Sequence, residues 1–196
     1  MISKLAQKIT NKFFPGIEPE KAELCTYFFF ILFSKWLSFA EVLLSGVILR
    51  NTWNAIVFFL VFTPLREYSG GIHAKKEIIC VFCTALALSL STAGIKLLEI
   101  TVGGVIQAVL LIVGTSAIFL FSPLDTPEKP LDEDERIVFG RKSKYLSIAA
   151  DLFAVLSYML GLNGIMNAIS MGLALEGILL IAGKIQSKSH FKFRTN

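Results

Sequence analysis

Charge is scarce in this chain. Of 196 residues only 17% are charged while 54% are hydrophobic, and the mean hydropathy of +0.66 excludes a water-soluble domain of this size. Cysteine is scarce as well. Cys25, Cys80 and Cys83 are odd in number and lack the paired spacing of a disulfide scaffold, which excludes a disulfide framework. Cys80 and Cys83 form a C-x-x-C, but it lies inside an apolar stretch and no second pair completes a zinc site, so no metal or other cofactor is expected. There is no phosphate-cradling G-x-x-x-x-G-K-[ST] motif, and no nucleic-acid partner is expected. The two histidines are His73 and His190. The second lies in the basic tail "SKSHFKF", where solvation is the plain reading.

What the chain has in abundance is apolar runs, at 24–49, 52–65, 77–98, 103–122, 145–161 and 164–183. Most approach the roughly 20 residues that carry a helix across hydrocarbon. A bilayer offers an open backbone no hydrogen bonds and no barrel-like alternation is visible, so these runs are read as helices. The fold class is therefore all-α, a polytopic integral membrane protein of six transmembrane helices forming a single domain over 1–196. The first fourteen residues, "MISKLAQKITNKFF", replace the continuous core of a cleavable signal peptide with lysine at every fourth position. Ile2, Leu5, Ile9 and Phe13 share one face and Lys4, Lys8 and Lys12 another, the pattern of an interfacial helix on an anionic lipid surface. With both termini cytoplasmic, sixteen of the nineteen lysines and arginines fall on the cytoplasmic side, which sets the orientation in the cell membrane.

The stretch "REYSGGIHAKKEIIC", 66–80, is the polar interruption in this series, and 66–76 is expected as a cytoplasmic loop. The run before it spans about 14 residues, roughly 21 Å against a hydrocarbon core of about 30 Å, so Ser69 to His73 is expected to be drawn below the headgroups. Irregular backbone at that depth needs shelter by protein or a wet cavity. A thiol attacks as its thiolate, and a low dielectric opposes that charge, so a cysteine at the membrane rim needs a nearby base. His73 is the candidate base and Cys80 the candidate nucleophile. On one continuous helix, seven residues separate the two by about 10.5 Å along the axis. Side chains lean toward the N-terminus, away from the partner that follows. A helix that begins only between Lys75 and Ile78 would let Gly70-Gly71 fold His73 back over Cys80, and would put the sulfur near the positive end of the helix dipole. Glu77 either orients the imidazole or balances Lys75 and Lys76 on a solvated turn. Taken alone, a histidine and a cysteine at a loop edge are more often incidental than catalytic.

The R-x-x-x-G-G-x-H-A-x-x-x-x-x-C run, followed by the linker "SPLDTPEKPLDEDERIVFGRKSK", resembles the accessory gene regulator B (AgrB) family over roughly 30–190. That resemblance implies a membrane-embedded cysteine endopeptidase with His73 and Cys80 as its catalytic pair. Its partner would be an AgrD-like pheromone precursor, cleaved near its C-terminal tail through a thioester and cyclised to a thiolactone. Under that reading Arg66, then Lys75 and Lys76, are candidate clamps for an acidic tail, with topology alone as their alternative role. The amides of Gly70 and Gly71 either serve an oxyanion or simply make a tight turn. Self-association into a homodimer stays open.

Lys35, Glu41, Asp151 and Glu176 lie inside apolar runs, where each is costly unless paired or hydrated. Pairing of Lys35 with Asp151 or Glu176 across helices is one expectation, and a lining for a peptide cavity or ion path is another. Ala150 with Ala154 and Ala168 with Gly172 offer small-residue helix contacts. Residues 123–144, prolines followed by an acidic and then a basic cluster, read as a solvated linker. The rival function is a small peptide transporter or exporter, for which no inverted repeat is detected.

Overall fold

Seven helices in series make up the computed structural model, which describes residues 2–71, 77–100, 104–125 and 131–194, with backbone alone at 77, 100 and 187–194. They are α1 (Ile2–Phe13), α2 (Pro19–Ile48), α3 (Thr52–Ser69), α4 (Glu77–Ile100), α5 (Gly104–Phe121), α6 (Glu133–Met159) and α7 (Asn163–Arg194). Four of them, α2, α4, α5 and α7, are long and apolar enough to cross a membrane by length and composition. In α3 and α6 polar ends dilute the apolar run: Arg66 and Glu67 close the first, and the charged stretch from Glu133 to Lys144 opens the second.

α7 is the central post. It packs against α3, α4, α5 and α6, and 67% of its apolar window is buried, against 6% for α2 at the edge of the bundle. Small residues make the central position possible. A side chain at Gly114 of α5 would meet the Leu173 carbonyl at 2.5 Å, and Gly177 sits against Gly114 and Ala117. Such contact lets backbones approach closely where lipid supplies no hydrophobic drive between helices. Gly172 does the same toward Phe58 and Val61 of α3, Ala168 is buried in one cluster with Phe58, and Ala154 joins the core cluster of Leu65, Ile118, Ile169 and Leu173. Away from these seams the helices expose large apolar side chains, among them Phe82, Leu120 and Leu152, as a lipid-facing surface requires.

Consecutive helices from α2 to α7 alternate in direction. Lys35 meets Glu67 while Gly46 meets Ala55, so α2 and α3 are antiparallel. Thr115 reaches Asp151 and Ser122 reaches Ser143, so α5 and α6 are antiparallel too. Gly164 lies on Asn54 and Gly172 on Phe58, which makes α3 and α7 parallel. One end of the bundle accordingly gathers Ser69 to Gly71, Leu124 and the start of α6; the other gathers Asn51, Asn54, Glu99 and Gly164.

Four expectations are revised. α3 continues through Arg66 to Ser69, a length of about 27 Å at 1.5 Å per residue, so the loop begins at Gly70 and the shortfall against the bilayer is small. α6 begins at Glu133, well inside the expected linker, because three acidic residues in its first turn suit the positive end of a helix and the Asp132 amide donates to Glu135 (3.3 Å). Lys35 pairs with Glu67 at 2.8 Å, not with Asp151 or Glu176. In α1 the face turned to α2 is Ile2, Ala6 and Thr10, with the Thr26 hydroxyl donating to that of Thr10 (3.1 Å), whereas Leu5 and Phe13 stay exposed. The helix thus turns one face to protein and leaves Leu5 and Phe13 exposed.

A bulky side chain at Gly114 has no room to relax, because the facing atoms are backbone. Gly114→Leu is expected to cost about 3 kcal/mol of bundle stability, at the upper end of overpacking penalties, read as an earlier midpoint in a mixed-micelle denaturant titration. Exposed Leu120→Ala should leave the midpoint nearly unchanged.

Candidate functional site

The candidate site is built at the end of the bundle where α3 stops. Ser69 is fully buried, and its carbonyl accepts a hydrogen bond from the Leu124 amide at 2.8 Å, so the connector after α5 clasps the one after α3. Gly70 and Leu124 form an isolated parallel bridge. At Gly70 the backbone takes φ +77° and ψ −153°, a region essentially confined to glycine, and a Cβ there would lie 2.7 Å from the Leu124 carbonyl. Gly71, at φ +140°, leaves the space that the Arg66 guanidinium occupies.

Arg66 thereby acquires a definite place. Its Nη1 donates to the Gly70 carbonyl at 2.6 Å, which caps the end of its own helix. The Gly70 amide donates back to the Arg66 carbonyl at 3.3 Å. That amide is spoken for within the helix end, so of the two roles considered for Gly70 the described contacts support the tight turn. The Arg66 side chain is likewise engaged in bracing the turn. Phe139 and Lys142 of α6 close over the outer side: the Phe139 ring meets Tyr68 edge-on at 5.6 Å, and the Lys142 ammonium sits 4.9 Å from the centre of the Tyr68 ring. Arg136 pairs with Asp125 at 3.1 Å and holds the start of α6 to the same connector.

Cys80 stands in the first described turn of α4, half-buried and with a free thiol. Cys83, three residues on, is exposed and free. The two sulfurs of the C-x-x-C are unbonded and differ in surroundings. His73, Lys75 and Lys76 lie outside the described residues, and Glu77 is described by its backbone only. Two cavities among the described residues lie elsewhere. One of about 700 Å³ runs between α1 and α2, along Ser3, Gln7, Asn11 and Tyr27, and one of about 410 Å³ opens at the opposite end beside Asn54 and Glu99.

The carboxyl groups inside the apolar helices do not share one site. Glu41 accepts from Ser89 at 2.9 Å between α2 and α4, Asp151 accepts from Thr115 at 2.8 Å between α6 and α5, and Glu176 is fully buried in α7. The clasp through Leu124, the cover by Phe139 and Lys142, and the α6 start at Glu133 were not anticipated from sequence. Only the acidic first turn after Asp132 carried a local signal for any of them.

A bundle of apolar helices with a free, half-buried thiol behind a braced Gly-Gly turn defines an integral membrane protein with a candidate nucleophile at one end. The family model of Accessory gene regulator B matches residues 2–180, and the chain belongs to that family. AgrB proteins take part in agr quorum sensing, where they act in processing of the AgrD precursor. Among similar chains, "Putative AgrB-like protein 2" of Clostridium perfringens strain 13 is 27% identical over 171 residues, covering 83% of this chain and 78% of its own. "Putative AgrB-like protein" of Clostridium perfringens strain SM101 is 23% identical over 195 residues, covering 92% and 91% respectively. No solved structure matches the chain.

The strained turn yields a direct test. Gly70→Ala must adopt a backbone that L residues avoid and must displace the Leu124 carbonyl. Amide exchange at Leu124 should accelerate in the same variant.

Proposed function

We propose that this protein is a membrane-embedded cysteine endopeptidase that removes the C-terminal tail of an AgrD-like precursor and promotes closure of the remainder into a thiolactone. The observation that carries the reading is Cys80: a free, half-buried thiol in the first described turn of α4, directly after the turn that Arg66 and Leu124 hold. In the chain His73 follows Gly71 by two residues and precedes Glu77 by four. A helix N-terminus also favours negative charge on a sulfur.

In the proposed reaction His73 takes the proton of Cys80 as the sulfur attacks the scissile carbonyl, and then gives it to the departing amine of the tail. The precursor is left as a thioester on Cys80. A thiol within the same peptide displaces Cys80, forming the ring thioester and returning the enzyme sulfur to its thiol. Thioester exchange keeps the acyl energy that hydrolysis would discharge, so it succeeds where water is kept out. The apolar rim of a bilayer meets that need.

The six helices α2 to α7 are read as six membrane passes. Their alternating direction supports this, as does the position of the charged ends of α3 and α6 at the same end as the Gly-Gly turn. That end is assigned to the cytoplasm because the cations collect there. The catalytic segment and both termini would then be cytoplasmic, with α1 lying on the inner leaflet. An acidic precursor tail would be drawn to such a surface.

The experiment is cleavage of a synthetic precursor, carrying an internal cysteine and an acidic tail, by protein reconstituted in anionic vesicles. Cys80→Ala and His73→Ala should each lower cleavage at least about a thousandfold, whereas Cys83→Ala should stay within about twofold of the parent. Equal loss in the Cys80 and Cys83 variants, or full activity without Cys80, would refute the assignment.

A further inference from the structure

Along α4, Cys80, Ala87 and Gly94 are spaced by seven, and seven residues bring a helix back to within about 20° of the same face. Gly94 fixes where that face points. A Cβ there would lie 2.7 Å from Met171 Cε, so the face is turned to α7. α7 carries a matching row, Met171, Ile178 and Ile185, again spaced by seven. α4 runs against α3 and α7 runs with it, so α4 and α7 are antiparallel. Counted from the Gly94–Met171 contact, Ala87 comes level with Ile178, and Cys80 with Ile185.

The two rows do not close along their whole length. At Gly94 they touch. Toward the candidate site the same face of α7 stands open, with Ile178 62% and Ile185 65% exposed, although α7 is the most buried of the four membrane-length helices. Ala87 and Cys80 across from them are half-buried. α4 packs against α2, α3 and α7, and α5 against α6 and α7, so the gap opens sideways between α4 and α5. The result is an apolar wedge with its apex at Gly94 and Met171 and the free thiol of Cys80 at its wide end. Lys184 stands exposed beside Ile185 at that end.

We propose that this wedge is the entry and binding subsite of the peptide substrate: an extended segment of apolar residues comes in from the lipid between α4 and α5, lies against Ala87, Ile178 and Ile185, and presents the carbonyl that follows it to Cys80. Its length follows from the helix. Cys80 and Ala87 are about 10.5 Å apart along the axis, which an extended chain covers in about three residues. Its chemistry follows from the walls. Ala87 leaves room for a side chain and the isoleucines offer no hydrogen bond, so a polar side chain placed there would lose its partners. Lys184 at the wide end suits a carboxylate on the far side of the scissile bond. Lipid tails are as apolar as the isoleucines, so the peptide displaces them by fit and by that charge. The side of the site beside α3 is taken by the Leu124 clasp and by Phe139 and Lys142, which leaves the lipid side as the open approach among the described residues.

The inference rests on the endopeptidase reading for the role of Cys80, and its tests keep the two apart. In full-length protein carrying Cys25→Ser and Cys83→Ser, Cys80 is the remaining thiol, and its modification by an N-alkyl maleimide dissolved in anionic vesicles reports the opening without any substrate. Ile185→Trp fills the wide end and should slow that modification about tenfold, since thiol reactivity follows access. Leu152→Trp, on the exposed face of α6, should leave it unchanged. With the synthetic precursor, Ile178→Trp should raise KM about tenfold and keep kcat within about twofold, because binding is lost equally in the ground and transition states. Occupancy is read directly when Ile178→Cys is combined with Cys25→Ser, Cys80→Ala and Cys83→Ser. Saturating precursor should then slow maleimide modification at position 178 at least about fivefold, and a precursor with aspartate in place of the apolar residue before the scissile bond should not.

Unslowed modification in Ile185→Trp, an equal effect of Leu152→Trp, or no protection at position 178 would overturn the proposal, the last by showing that lipid alone fills the wedge. Faster modification of Cys80 as the protein is diluted into more lipid would overturn it too, because a second copy would then be what covers the opening. Should Ile178→Trp fail to accumulate as folded protein, Ile185→Trp carries the kinetic arm with the same expected rise in KM. Protection at position 178 by a precursor that the parent protein does not cleave would support the wedge while refuting the endopeptidase reading, and cleavage without protection would do the reverse.

Discussion

The hydrogen bond from the Leu124 amide to the Ser69 carbonyl joins two connectors that the chain itself keeps far apart. In a bilayer the helices satisfy their own backbone groups, so connectors are where freedom remains and where a site must be fixed by contacts between segments. Here the connector after α5 lies along the one after α3, Gly70 permits the approach, and Arg66 closes the turn from within its own helix. Tyr68, Phe139 and Lys142 cover it from outside.

The clasp depends in turn on how closely the helices beneath it can pack. α5 and α7 touch through backbone at Gly114, Leu173 and Gly177, and α3 meets α7 at Gly172. These contacts bring the ends of α3 and α5 to one level and side by side. The polar groups between the helices add direction to the packing: Thr115 to Asp151, Ser122 to Ser143, and Gln107 to Asn167 at 2.9 Å each fix a register that apolar contacts alone would leave free to slide.

The family gives these contacts a purpose. A protein that acts on a peptide precursor at a membrane needs a rigid base for its reacting groups and an approach from the lipid surface. The bundle is the base, and α1 leaves Leu5, Phe13 and its lysines exposed while Ile2, Ala6 and Thr10 are buried. Of the carboxyl groups that as a sequence pattern suggested a peptide-cavity lining or an ion path, Glu41 and Asp151 stand at separate helix contacts, bonded to Ser89 and Thr115, and Glu176 is buried in α7 with no hydrogen-bond partner among the described residues.

Composition, run length and the lack of barrel-like alternation by themselves determined an all-helical membrane protein, because continuous apolar runs of this length satisfy their backbone in lipid as helices. The Gly-Gly-x-His-x6-Cys run, with the linker after α5, carried the resemblance to the family that the match over residues 2–180 shows, since both lie in short stretches that can be read directly. Where α3 and α6 begin and end was less legible, because both have charged turns that look like loop until a partner helix holds them. The tertiary structure alone decided that Lys35 faces Glu67, that Cys80 is half-buried while Cys83 is exposed, and that Leu124 clasps Ser69. Each of these depends on which helix faces which, and that is settled by the fit of small residues along α7, a property of pairs of surfaces that no single run of residues encodes.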